Sequence, residues 1–136
     1  MDDINLSKCP GTNLVVHYIR AVKNGYWLEA IVLAHMYIET QLRMILEFDD
    51  FRKAKKTNPN EKVINLAQRA YKKKIIDETL YGRIDEFNTS RNDAAHNLLT
   101  GKICYEDLEP MAIESDSLIN ELKQLEMTVR SRRNNP

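Results

Sequence analysis

The sequence predicts an all-α protein, an antiparallel bundle of four to five helices, and three observations lead there. Between Tyr26 and Phe48 the residues Trp27, Ile31, Ala34, Ile38, Leu42 and Ile45 recur at intervals of three and four, which sets them on one face of a helix. No stretch alternates apolar and polar residues over a useful length, as a half-buried strand must. Every connection except the one after Phe48 is short, and short links make successive helices antiparallel neighbours.

Taken in order, a first helix follows Pro10-Gly11, where Thr12 can act as the cap. Leu14, Val15, Tyr18, Ile19 and Val22 form its apolar face, and Asn24-Gly25 ends it. The second helix runs from about Tyr26 to Phe48. Leu28, Val32, Leu33, Met36, Tyr37 and Met44 lie outside its main stripe, so its first half is apolar over much of its circumference. Such a helix is either central to a bundle or covered by another subunit.

Asp49 to Asn58 reads as a polar loop, and Asn58-Pro59-Asn60-Glu61 resembles a capping box with proline at the first helical position. The third helix, about Pro59 to Lys73, presents Val63, Ile64, Ala67, Ala70 and Tyr71. Asp77 is placed to cap the fourth, which runs to Leu99 before Thr100-Gly101 stops it. The fifth begins near Tyr105 to Pro110, since proline fits only in a first turn, and continues through Leu118, Leu122, Leu125 and Val129. The expected organisation is one domain over residues 1–130 and a disordered tail over 131–136.

Charge and cysteine content narrow the function classes. Lys plus Arg and Asp plus Glu number 20 each, so no global basic field draws the chain to nucleic acid, and any such contact must be local. Cys9 and Cys104 are far apart with no CxxC, which argues for a reducing compartment and against a disulfide framework or structural zinc. The start Met1-Asp2-Asp3 lacks the pattern of a signal peptide. The apolar run from Ala30 to Ile38 falls far short of the roughly 20 residues of a membrane span. A cytoplasmic protein is expected, with no membrane partner.

The fourth helix breaks its own pattern. Leu80, Ile84, Phe87, Ala94, Ala95 and Leu98 share a face, and at about 100° per residue Arg91 falls at its centre. A guanidinium cannot shed its charge, so that position must hold a carboxylate, a phosphate or a water-filled cleft. Beside it runs a polar ridge of Asp85, Asn88, Asn92 and His96. Arg91 and His96 stand about 140° apart around the axis, and the reach of arginine would let both heads converge on one groove. Two readings stay open on these residues alone: Arg91 paired with a buried acid, for which Glu39 is the candidate, or Arg91 and His96 as a basic notch.

Arg91-Asn92-Asp93-Ala94-Ala95-His96 resembles the Arg-x4-6-His signature of the HEPN superfamily, including the polar residue after the arginine. Tyr37-Ile38-Glu39-Thr40-Gln41-Leu42 looks like that family's early helix, and Leu98 to Leu122 its final turn and helix. The resemblance spans about Leu14 to Leu125 as an ordering of helices, and only the Arg/His signature is functionally specific. It implies a helical bundle that forms a homodimer with the two signatures facing each other, with an antitoxin as a possible partner. In catalytic members the shared cleft is a metal-independent ribonuclease. It further implies that His96 serves as general acid or base, that Arg91 stabilises the pentacovalent phosphate, and that Asn92 positions either by hydrogen bonding. The 2′-hydroxyl is the nucleophile, so RNA is cut to a 2′,3′-cyclic phosphate and DNA is inert. Some members carry, two residues after the histidine, a tyrosine that accepts a nucleotide; here that residue is Leu98. The alternative is a non-catalytic HEPN-like module for dimerisation or partner binding.

Other candidates carry less. The basic runs Arg52-Lys53-Ala54-Lys55-Lys56, Lys72-Lys73-Lys74 and Arg130-Ser131-Arg132-Arg133 could track an RNA backbone, but such runs are usually solvated, and lysines at the end of the third helix also suit its dipole. His17 and His35 sit on different helices with no carboxylate or cysteine at ligand spacing, and no Glu-x-x-His appears, so neither a metal nor another cofactor is expected. Gly101-Lys102 lacks the upstream glycine of a phosphate loop, and no Gly-x-Ser-x-Gly is present.

Overall fold

A computed structural model describes residues 10–49, 58 and 60–134. The helices are α1 (Pro10–Lys23), α2 (Trp27–Asp49), α3 (Val63–Lys72), α4 (Glu78–Leu99) and α5 (Glu109–Asn134), with a 3-10 turn at Tyr105–Leu108 leading into α5. The described residues contain no strand. The protein is therefore an all-α helical bundle.

Local chemistry sets most of the boundaries. Gly25, at φ 73°, takes the left-handed conformation that ends α1 and turns the chain directly into α2. Gly101 does the same after α4, at φ 74°. Asp77 caps α4 by accepting a hydrogen bond from the Leu80 N–H at 2.7 Å. Asp77→Ala should lower stability by about 1 kcal/mol, read as a shift in the urea midpoint with an unchanged slope. Pro110 stands in the first turn of α5, where its missing N–H costs nothing.

Three boundaries differ from expectation. α1 starts at Pro10, so Thr12 lies in its first turn rather than before it. α3 starts at Val63, not near Pro59. Asn58 spends its side chain on the Asn60 N–H at 2.9 Å, while its carbonyl accepts from Glu61 at 3.0 Å. That closes a turn instead of a capping box, and Lys62 at the N-cap supplies no side-chain cap. α5 continues through Asn134, into the segment expected to be disordered. Pro59, the basic run at 52–56, Cys9 and the last two residues lie outside the described part of the chain.

α2 is the central helix and spans two apolar clusters. Its first half (Ala30, Ile31, Ala34, Tyr37) packs with Tyr18 and Ala21 of α1 and with Leu108, Ala112 and Ile119. Its second half (Ile38, Leu42, Ile45, Leu46) packs with Leu66, Ala67, Leu80, Ile84, Leu118 and Leu122. Leu80 and Ile84 of α4 join the second cluster while Ala94 and Leu98 lie against the first, so α4 runs opposite to α2. α5 runs with α2. Tyr105, at its approach, donates to Glu29 at 2.6 Å, and near its end the Arg130 guanidinium stacks 5.1 Å from the Phe48 ring centre. The chain thus goes down, up, down, up through α1, α2, α4 and α5, with short α3 set between.

Candidate functional site

Asn88, Arg91 and Asn92 of α4 are spaced i, i+3, i+4, and His35 and Glu39 of α2 are spaced i, i+4. Each set therefore shares one side of its helix. The two sides face one another. With residues 60–64 at the start of α3 they line a cleft of about 410 Å³. The turn before α3 is held as its rim by Arg43, which donates to the Glu61 carbonyl at 2.7 Å.

Charge pairing inside this cleft bears on the first reading of Arg91, a pair with a buried acid. Glu39, the expected partner, instead binds Arg43 at 2.8 Å, one helical turn away on the same helix. The cleft's other carboxylate, Glu61, binds Arg69 at 2.6 Å. Both acids are thereby taken by other arginines. The Arg91 guanidinium bonds only its neighbour, the Asn92 side-chain oxygen, at 3.0 Å, and its Nε is buried without a partner among the described residues. It is a half-buried cation with no carboxylate on it among the described residues.

His35 is the residue that sequence reasoning passed over. It is half-buried and lines the cleft with Asn88 and Arg91. Burial is the main cause holding its imidazole below the usual 6.5, and the Arg91 charge adds to it, while Glu39 and Asn88 pull the other way. The available signal was the i, i+4 pair His35–Glu39 on the helix opposite Arg91.

The depressed pKa has a direct consequence for stability. Above 6.5 the imidazole is neutral whether the chain is folded or not. Below 6.5 the unfolded chain binds the proton and the folded one resists it, so stability falls as pH drops from 6.5 toward the folded-state value. The urea midpoint should therefore fall between pH 7 and pH 5.5, and His35→Gln should remove part of that slope; an unaltered slope would mean that His35 is solvated.

His96 is fully on the surface and does not line the cleft. Five residues beyond Arg91, it lies on the outer stripe Asn92, Ala95, His96 and Leu99, all exposed, with Leu99 at 88%. Ala95, expected on the apolar face, belongs to this outer stripe. Arg91 lines the cleft and His96 does not, and no hydrogen bond joins the two among the described residues. Asn92 stands between them, on the cleft and at the edge of the stripe.

Two of the basic runs come together at the other end of the bundle. Lys73, Lys74 and Arg132 line one small cleft with Phe48 and Asp49, and Arg130 also pairs with Glu126. Among the described residues no three His, Cys, Asp or Glu side chains gather as a metal site, and no helix is long and apolar enough to cross a membrane. Set against known proteins, the chain matches no family model, and no curated protein and no solved structure is significantly similar to it.

Proposed function

We propose that this protein is a metal-independent endoribonuclease of the toxin or defence kind, cutting RNA by attack of the 2′-hydroxyl to leave a 2′,3′-cyclic phosphate. The observation that carries the reading is Arg91: a cation half-buried in an open cleft whose two carboxylates are already bound to Arg43 and Arg69. A phosphodiester is the ligand such a guanidinium suits, since its planar fork matches phosphate oxygens. RNA carries its own nucleophile, so the protein need only move protons and neutralise charge.

His96 of the resemblance lies outside the cleft that Arg91 lines, so a shared site calls for a second copy docked on the outer face of α4. Leu99 at 88%, Val32 at 44% and Met36 at 45% are exposed apolar residues on the two helices that would form it. The proposal includes a cytoplasmic RNA target and an antitoxin that keeps the enzyme inert. Incubating the purified chain with RNA in excess chelator, beside His96→Ala, tests it: cleavage by the parent that drops at least about 100-fold in the variant is expected. Equal cleavage by both, or none by either, would sink it.

One observation favours a second reading, a non-catalytic module that dimerises or holds a partner. His96 lies outside the cleft. On that reading Arg91→Ala and Leu99→Ser would disturb self-association in sizing experiments, and no RNA would be cut.

A further inference from the structure

We infer that His35, and not only the histidine of the signature, is a proton-transfer group of this site: Arg91 holds the phosphate of one ribose-phosphate unit of RNA, and His35 takes the proton from its 2′-hydroxyl. The inference rests on the ribonuclease reading and assigns to it a residue outside the signature. It stands on geometry first. His35 and Arg91 come from different helices, α2 and α4, yet line one cleft of about 410 Å³, ample for a phosphate and its ribose. His96 shares no wall of that cleft.

A base must be unprotonated at working pH, and every group around His35 bears on that. Arg91 from α4 and Lys62 at the start of α3 are the cations lining the cleft; Glu39 from α2 and Glu61 before α3 are the anions. The anions are bound by Arg43 and Arg69, so they oppose the cations only weakly. Burial and the Arg91 charge hold the imidazole neutral, and Asn88 lines the cleft beside it.

The step balances without any further reactant. His35 accepts the 2′-hydroxyl proton, the 2′-oxygen bonds to phosphorus, and the bond from phosphorus to the 5′-oxygen breaks. That oxygen leaves with a proton from the His96 imidazolium of the docked second copy that the ribonuclease reading calls for, which solvent then reprotonates, and the His35 imidazolium returns its own proton to solvent. Arg91 faces the charge that builds on the non-bridging oxygens.

The test is the pH profile of kcat/KM for RNA cleavage by the full chain, with His35→Ala and His35→Gln, together with binding of an all-2′-deoxy oligonucleotide that cannot be cut. Both variants should lose at least about 100-fold in cleavage and the acid limb of the profile, with oligonucleotide affinity kept within about threefold. In the parent protein, which needs no substitution, the His35 ring Cε1–H resonance should move on addition of that oligonucleotide. Cleavage by either folded variant at the parent's level, or a ring signal that stays still, overturns the assignment and leaves the ribonuclease reading in place. A parent chain that cuts no RNA overturns both.

Discussion

Arg91→Ala should lower RNA cleavage by about two to three orders of magnitude, the usual cost of removing one group aimed at developing transition-state charge. The variant should nevertheless stay folded. Arg91 makes no ion pair among the described residues, so its loss leaves no carboxylate stranded; Glu39 and Glu61 keep Arg43 and Arg69. Arg91→Lys should be intermediate, since an ammonium restores the charge without the planar fork. Losing the Arg91 charge also lets the His35 pKa rise toward its ordinary value, which an NMR titration reads independently of activity. A variant that melts far below the parent, or that cuts RNA within about threefold of it, would make Arg91 a structural residue.

Leu42→Ala should be the most damaging apolar truncation, costing about 2–5 kcal/mol. Leu42 is fully buried midway along α2, in the cluster that joins that helix to α3, α4 and α5. With neighbours on several sides fixed by their own helices, the space it leaves cannot close easily, so the cavity adds to the lost burial. The urea midpoint should fall sharply with little change in slope. Met36→Ala, on the same helix but 45% exposed, should stay within about 0.5 kcal/mol. A loss below about 1 kcal/mol at Leu42 would contradict the packing described for α2.

The comparison of Leu42 with Met36 shows where sequence reading stops. Periodicity picks out the stripe of Trp27, Ile31, Ala34, Ile38, Leu42 and Ile45, of which all but the half-buried Trp27 are buried. It also shows that the first half of α2 is apolar all round, without saying which part of the surplus stays uncovered. Packing against α1 and α5 settles that, leaving Val32 and Met36 outside. Start and stop signals with a unique chemical cause, Asp77 and the two glycines in the left-handed region, were legible. The turn at Asn58 was not, because the same Asn-x-Asn-Glu pattern serves a capping box or a free-standing turn, and which forms depends on Arg43 reaching across from α2.

The candidate site divides in the same way. By itself the sequence determined that the chain is a helical bundle and that Arg91 occupies an anomalous place on α4, because helical period and the permanent charge of a guanidinium are properties of single segments. It could not determine what surrounds that charge. Only the tertiary structure decided that Glu39 belongs to Arg43 and Glu61 to Arg69, that His35 shares a cleft with Arg91, and that His96 lies outside it. The physical reason is that a charge is neutralised by whatever lies within a few ångströms of it, and those distances are set by how α2, α3 and α4 pack, not by spacing along any one of them.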